Sequence, residues 1–534
     1  MSRPPSHSWL KLATLILPLC AGGVVWWLAG QSAEKTLRLR PAVAAQAAKN
    51  DSPAAWARVS SPLVEQPEAS EIFAKFERWA EDYSKSATSD TLAAGVKLAQ
   101  QRRSALKTLI ETDPKQALSR ALPWRLRNQM PAEVAALLEQ RISTEAEYSV
   151  KAARQAPDVA TRVKQVQRSL IVDGRVYDAF TYGRREWLGS KNNLPVEGIA
   201  LDESLAMQDS PVRVLEPGEP LPVGGIQKRA QDEHQTDLPA AAPPVMVSGG
   251  KAYQACCPSH SAALEKSIIE AEDSLGPNMG IDVARSAWSE GPKKILVVRV
   301  DFSDVPGTPR NINPSATITP SFATNLINGV TNTFMSEVSY GKTSVNLNTA
   351  DVTPVLRMPR TASYYATNDD PDGLRLDCLA AARSAGYDTT AYDRQMVVFS
   401  AISSRYVPGS EFSWAGLGQI NGPFTWYNGY FDDRVVPHEL GHNLSLYHAN
   451  LWQVPGTNPV DDDGYSVPYE DPFDCMGNGF YAPVNLLNFN PWFLNRIDWL
   501  PGNAVQTVNS PGVYRVYRFD HRDAPLNRTL ALKI

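Results

Sequence analysis

Residues 438–448 decide the fold, and they read HELGHNLSLYH. On a helix, His438 and His442 are four residues apart and project from one face. Glu439 lies beside them. The opposite face is apolar and consists of Val436, Leu440 and Leu444. This pattern predicts an amphipathic helix that buries its apolar face and presents two imidazoles and a carboxylate on the other.

A third imidazole follows at His448, six residues after His442. No straight helix places that spacing on one face, so the chain has to leave the helix near residue 445 and turn back. Three neutral imidazoles and a water form an open tetrahedral zinc site of the catalytic type. We therefore predict one catalytic Zn²⁺ held by His438, His442 and His448. The alternative is three hydrogen-bonded core histidines at a helix end.

The motif HELGHNLSLYH resembles the HExxHxxGxxH signature of metzincin zinc peptidases, and residues 415–450 are most similar to the gametolysin family. A second stretch, DPFDCMG at 471–477, resembles the Met-turn, which implies that Met476 packs beneath the imidazoles. Residues 485–500 resemble the helix that closes the family's catalytic domain. The resemblance covers about 290–500.

The resemblance implies an α/β (α+β) catalytic domain with a mixed twisted sheet, an active-site helix and a Met-turn. It also implies a zinc endopeptidase in which Glu439 is the general base for the zinc-bound water. We expect an extended substrate to pair as a strand with an edge near residues 424–427. Two rival functions stay open: a non-catalytic surface binding or adhesion protein, and a zinc hydrolase of a cell-wall polymer.

Two positions depart from the family pattern. Ser445 stands where the family has a glycine between the second and third histidines, and a side chain in a left-handed turn costs roughly 1 kcal/mol. Asn478 stands two residues after Met476, where some metzincins carry a tyrosine that assists the transition state. The residue that stabilises the oxyanion is therefore unassigned by the sequence.

The chain has 534 residues, of which 43% are hydrophobic, and a net charge of −5 without a long run of like charge. This composition predicts several globular units and argues against a nucleic-acid partner. The predicted divisions are a signal anchor or signal peptide at 1–30, a spacer at 31–60, a helical region at 61–167, a small β region at 168–215, a linker at 216–262, a metzincin-like peptidase domain at 290–500 and the start of a C-terminal β segment at 501–534.

Residues 12–30 contain no charged side chain. As a helix they would be about 29 Å long, close to the hydrocarbon thickness of a bilayer. The segment fits an uncleaved membrane anchor, and Pro18 with the Gly22-Gly23 pair keeps a cleaved signal peptide open as well. Both alternatives place the rest of the chain outside the cytoplasm, anchored to the membrane or secreted.

The helical unit from about Ser70 to Gln155 carries no clustered His, Cys or carboxylate pattern. The linker is rich in Pro and Gly, and Lys228-Arg229 offers a basic processing site. We predict that residues 31–262 form a propeptide that restrains the peptidase until the linker is cut. The alternative is a permanent stalk.

Two further features admit more than one interpretation. Cys256, Cys257, Cys378 and Cys475 could form two disulfides, stay free, or provide a propeptide thiol for the zinc. On an apolar helix face, Cys378 is most simply a buried thiol. Five acidic residues that follow His448 could bind Ca²⁺, although a solvated acidic loop is the favoured interpretation. These residues are Asp461, Asp462, Asp463, Glu470 and Asp471.

Overall fold

A large mixed β-sheet with helices on both faces organises the chain. The computed structural model describes residues 67–83, 88–157, 159, 163–227, 244–255, 258–273, 285–459, 461–478 and 487–533. The described residues belong to one compact unit. The fold is therefore mixed α and β, as the sequence predicts.

Thirteen α-helices lie within the described part of the chain. They are α1 Pro67–Tyr83, α2 Ser89–Thr112, α3 Pro114–Ser119, α4 Trp124–Arg127, α5 Ala132–Ala135, α6 Pro258–Glu272, α7 Arg285–Ser289, α8 Pro320–Leu326, α9 Asn332–Val338, α10 Ala362–Thr367, α11 Pro371–Ser384, α12 Val435–Asn443 and α13 Pro491–Arg496. One π-helical turn, Ile327–Thr331, joins α8 to α9.

The strands are β1 Gln140–Gln155, β2 Val166–Val172, β3 Arg175–Phe180, β4 Lys191–Leu201, β5 Ser204–Met207, β6 Arg213–Val214, β7 Ile226–Gln227, β8 Val245–Ser248, β9 Lys251–Gln254, β10 Gly291–Asp301, β11 Arg310–Asn311, β12 Ala316–Thr317, β13 Thr343–Asn346, β14 Leu356–Arg357, β15 Arg394–Phe399, β16 Trp414–Gln419, β17 Phe424–Asn428, β18 Leu451–Gln453, β19 Tyr465–Val467, β20 Val505–Thr507 and β21 Ala531–Lys533.

The main sheet has eleven strands in the order β13-β10-β15-β17-β16-β1-β2-β3-β5-β4, with β14 also paired to β10. Strands β13, β10, β15 and β17 are parallel, whereas β16 runs antiparallel between β17 and β1. Successive residues of β10 enter different cores: Val297 packs in the core that contains α12, and Val298 in the core that contains α11. Burial on both faces explains the continuous apolar run in β10.

The N-terminal part of the sheet is built around β1, which is sixteen residues long. Its first half pairs with β4 and its second half with β2, and β2, β3, β5 and β4 complete a closed ring of pairings. The helical prediction for 61–167 is therefore wrong over Gln140–Gln155. The error has a physical cause: β1 has mixed polar and small residues and lacks the β-branched signal of a strand, while tertiary pairing determines its conformation.

The structure also bears on the predicted linker and on the helix predicted over 485–500. Part of the predicted linker is ordered, because β8 and β9 pair with β6 and β7 in a four-stranded sheet. Residues 228–243 lie outside the described residues, as do the predicted membrane segment and Cys256-Cys257. The helix predicted over 485–500 is shorter, since α13 spans only Pro491–Arg496. No helix in the described part of the chain is both long and apolar enough to cross a membrane.

Cys378 and Cys475 are free and buried. Of the three interpretations of the four cysteines, the one with two disulfides is therefore wrong, because it needs both of these thiols. Cys378 lies on α11 in an apolar core, as its helical spacing predicts, and burial raises the pKa of its thiol. Both thiols fill core volume.

Candidate metal centre

Helix α12 carries the motif, and its neighbours fix its position. The Asp432 carboxylate accepts hydrogen bonds from the backbone N–H groups of Arg434 and Val435, at 3.0 and 2.8 Å, and so satisfies free donors at the helix start. The predicted apolar face, Val436, Leu440 and Leu444, is buried in the core. The helix ends at Asn443, close to the predicted exit.

Two glycines let α12 approach strand β16 closely. A Cβ atom at Gly416 would lie 2.2 Å from Glu439 Oε1, and one at Gly418 would lie 2.9 Å from the Glu439 carbonyl oxygen. Any larger residue at these positions would push the helix away from the sheet. The sequence Ala415-Gly416-Leu417-Gly418 therefore sets the depth at which Glu439 lies.

The structure brings the three predicted histidines together. Potential ligand atoms of His438, His442 and His448 all lie within 4.8 Å of one another. The ring centroids are 4.9 Å apart for His438–His442, 4.9 Å for His442–His448 and 5.4 Å for His438–His448. Among the described residues, this is the group of three or more His, Cys, Asp or Glu side chains that could hold a metal ion.

Each imidazole uses Nδ1 for a hydrogen bond and leaves Nε2 free. Nδ1 of His438 bonds to the Cys475 carbonyl oxygen at 2.7 Å, and Nδ1 of His442 bonds to that of Leu446 at 2.7 Å. Nδ1 of His448 lies 3.0 Å from Oε1 of Gln165. Since these oxygens only accept, each Nδ1 carries the proton and each Nε2 keeps its lone pair.

None of the three Nε2 atoms has a hydrogen-bond partner within the described structure, although all three are buried. Buried polar atoms without partners are unfavourable, so a group that accepts three lone pairs fits this site. Burial lowers the pKa of His442 to about 4 and lowers the pKa values of His438 and His448 below their usual range. The imidazoles are therefore neutral, as metal ligands have to be.

Glu439 lies beside the ligands with a fully buried side chain. Neither of its carboxylate oxygens has a hydrogen-bond partner in the described part of the molecule. Burial raises the pKa of this carboxyl well above its usual range. The group is thus not used as a structural anchor, and it is available to exchange a proton next to the three lone pairs.

The turn that returns His448 to the site contains Ser445, whose φ is +75°. This is the left-handed backbone that favours glycine, as the family pattern implies for this position. Backbone N–H groups of Ser445 and Leu446 donate to the carbonyl oxygens of His442 and Gly441, at 2.8 and 3.1 Å. These bonds hold the turn despite its strained residue.

Residues 474–477 lie under the helix. A Cβ atom at Gly441 would lie 2.3 Å from Sδ of Met476, so this sulfur touches the helix backbone between the two histidines. Met476 is fully buried. Its N–H and that of Asn490 donate to the Asp474 carboxylate at 2.6 Å each. The same turn supplies the Cys475 carbonyl oxygen that accepts from His438.

Three residues of the site are missing from the sequence interpretation. The ring centroid of Tyr469 lies 4.5 Å from that of His448, and its hydroxyl is buried without a partner among the described atoms. The guanidinium of Arg154 lies 3.4 Å from Nδ1 of His438 and 5.8 Å from the Tyr469 ring centroid. Gln165 is the third. Arg154 and Gln165 are distant in sequence, so no local signal could reveal them.

Some predicted features lie elsewhere. Asn478 donates to the Glu470 carboxylate at 3.3 Å on the surface. The acidic residues proposed for Ca²⁺ do not form a three-ligand group within the described residues. The expected substrate edge at 424–427 is wrong, because β17 is paired on both sides, to β15 and β16. A strand inside a sheet has no free backbone groups for a peptide.

Neither protein-family models nor curated proteins nor solved structures show a match to this chain.

Proposed function

We propose that this chain is a zinc-dependent endopeptidase of the metzincin type, similar to the gametolysin family. One observation carries the proposal: three imidazoles present buried, unpartnered Nε2 atoms next to the unpartnered carboxylate of Glu439. A structural cluster of histidines would use these atoms in hydrogen bonds. The arrangement instead offers three ligands and one base.

His438, His442 and His448 would hold the metal, one zinc for each chain. When bound, zinc polarises the scissile carbonyl and lowers the pKa of a bound water. Because the protein supplies only three ligands, a coordination position stays open for the water and the substrate carbonyl. The oxygens of Cys475, Leu446 and Gln165 orient the rings. We interpret residues 474–477 as the Met-turn, with Met476 as a support beneath the imidazoles.

Glu439 would take the proton from the attacking water and deliver it to the leaving amine. Its carboxylate suits this role because no hydrogen bond within the described structure engages it. The Tyr469 hydroxyl is the donor that we place at the developing oxyanion. It lies beside His448, it is buried, and it has no other partner in the part of the chain that the structure describes.

The substrate class that fits is an extended polypeptide. A peptide strand recognises a sheet through its backbone, and β16 is the strand that lies directly over Glu439. With the charge-free segment at 12–30, we propose that the enzyme acts on proteins outside the cytoplasm, either anchored or secreted.

Metal analysis tests the ligand set. We expect about one zinc per wild-type chain and no stoichiometric zinc in His442→Ala. The matched control is His521→Ala, which removes a histidine outside the cluster and should keep the metal. Retention of full zinc by His442→Ala would refute the site.

Proteolysis of a denatured-protein library tests the chemistry. Glu439→Gln should keep its zinc and its fold but lose about 10²–10⁴-fold in cleavage rate, which is the usual contribution of a general base. Cleavage at the wild-type rate by Glu439→Gln would place the base elsewhere.

A further inference from the structure

The donor atoms of the candidate metal centre are buried. The Nε2 atoms of the three histidines and both carboxylate oxygens of Glu439 are buried. A polypeptide substrate has to bring its scissile carbonyl to this group of atoms. With these atoms buried, a substrate cannot reach them until some segment moves.

The segment in the way belongs to β1. Lys151–Gln155 pair antiparallel with β16, from Lys151 opposite Gln419 to Gln155 opposite Trp414. The other side of β16 is already paired with β17. The edge of β16 on which a substrate strand could add is thus taken by the chain's own residues, and the two occupants exclude each other.

The register directs one side chain of β1 into the site. Arg154 is opposite Gly416 and Ala152 is opposite Gly418. Residues that face each other across a ladder project from the same side of the sheet, and the two glycines face Glu439. Arg154 is nine-tenths buried there, with its guanidinium 3.4 Å from Nδ1 of His438.

The chain that follows β1 is also held against the site. The Ala156 N–H donates to the Ser413 carbonyl oxygen at 3.0 Å. Ala156 and Val159 pack in the apolar core that contains Met476, and Gln165 bonds to His448. Both ends of the connection from β1 to β2 therefore contact a metal-ligand histidine or the core beneath the histidines.

We propose that Lys151–Ala156 is an autoinhibitory strand that occupies the substrate position on β16, with Arg154 closing the metal centre. The chain is latent in this arrangement. A substrate that replaces the strand pairs with β16 in the same antiparallel direction. This inference rests on the proposed function for its biological meaning, but the closure itself can be tested without catalysis.

The test uses the full chain loaded with Co²⁺ and titrated with acetohydroxamate, a small chelating probe, while the visible absorption of the cobalt is followed. If the closed form dominates, only a small fraction of the sites can bind the probe. The apparent Kd of the probe is then higher than its Kd for the open form. We expect Arg154→Ala to bind the probe at least about tenfold more tightly than wild type, for the same reason.

Two further variants sharpen the experiment. Arg154→Pro also removes the backbone donor from the strand and should open the site further. Arg175→Ala is the matched control, since it removes an exposed arginine of β3 far from the ligands and should bind the probe as wild type does. If Arg154→Pro does not fold, Arg154→Ala together with Gln165→Ala takes its place.

Library cleavage by the same proteins separates this proposal from the peptidase function. Tighter probe binding and faster cleavage in Arg154→Ala support both. Tighter probe binding without cleavage supports closure and contradicts the peptidase. Equal probe binding in wild type and the Arg154 variants overturns closure, and slower cleavage with unchanged probe binding overturns it too, because Arg154 would then assist catalysis.

Discussion

At the scale of single residues, the two nitrogens of each imidazole have different roles. The oxygens of Cys475, Leu446 and Gln165 fix the Nδ1 protons, and the Nε2 lone pairs converge. Two of these partners are backbone carbonyls next to the helix. Ring orientation thus depends on the turn at Ser445 and on the turn at Asp474–Gly477 as much as on the histidines themselves.

Ser445→Gly should be tolerated and slightly stabilising. The left-handed φ of +75° strains a residue with a Cβ atom, and relief is worth at most about 1 kcal/mol after the extra entropy of unfolded glycine is subtracted. Urea unfolding of the metal-free chain measures the change. The control is Ser445→Ala, which keeps the strain and loses only the hydroxyl. A less stable Ser445→Gly would mean that the hydroxyl matters and the strain does not.

Tyr469→Phe should keep zinc and KM but lower kcat on the order of 10²-fold, which is typical of the loss of one oxyanion donor. The assay is peptide cleavage in the Arg154→Ala background, where we expect the site to be open. Tyr148→Phe is the control, because Tyr148 also has a buried hydroxyl, but it lies in the N-terminal ring of strands. An unchanged kcat in Tyr469→Phe would remove this residue from the mechanism.

At the scale of elements, buried charges join the N-terminal strands to helix α11. The ammonium of Lys151 on β1 pairs with Asp372 in the first turn of α11, and both side chains are almost fully buried. Ser169 on β2 donates to the same carboxylate at 2.5 Å. Because a buried charge without its partner is strongly unfavourable, this network specifies where β1 and β2 dock.

Asp372→Asn should destabilise the chain by about 3–5 kcal/mol, because Lys151 would be left buried without a counter-charge. Urea unfolding measures the loss. Asp202→Asn is the matched control, since Asp202 pairs with Arg103 at the surface and such pairs contribute about 0–1 kcal/mol. Equal effects of the two substitutions would show that the Lys151–Asp372 pair does not fix the docking.

The same pair predicts an acid response. Burial alone would raise the pKa of Asp372, but the charges of Lys151 and Arg375 outweigh it and hold the pKa at about 2. A depressed folded pKa stabilises the fold above the unfolded value, so wild type should lose about 2 kcal/mol as the pH falls from about 4 to about 2. Asp372→Asn should lack this component of the pH dependence. A wild-type curve identical in shape to that of the variant would contradict the assignment.

At the scale of the whole molecule, the sequence predicts what is local. The spacing of His438 and His442, the helix end before Ser445, the strand at 295–300 and the helix around Cys378 are all confirmed. What depends on distant pairing could not be predicted. β1 has no strong strand signal, and Arg154, Gln165 and Tyr469 reach the site only through the sheet and a surface turn. For the same reason, the sequence does not reveal that β17 is paired on both sides and has no free edge.

The continuous sheet also changes what a cut in the linker should do. One cut at Lys228-Arg229 separates β1 to β7 from β8 onward, yet the two pieces still share the β1–β16 pairing, the β6–β8 pairing and the buried Arg185–Glu272 ion pair. Such an interface has to unfold in part before the pieces separate.

After a cut at Lys228-Arg229, we therefore expect two bands on a denaturing gel but one species in size-exclusion chromatography. The cut chain should bind acetohydroxamate as weakly as the intact chain, and activity should rise only when the N-terminal piece is itself digested or released by mild urea. Prompt separation and full activity after the single cut would show that the linker alone, rather than the strand on β16, keeps the chain latent.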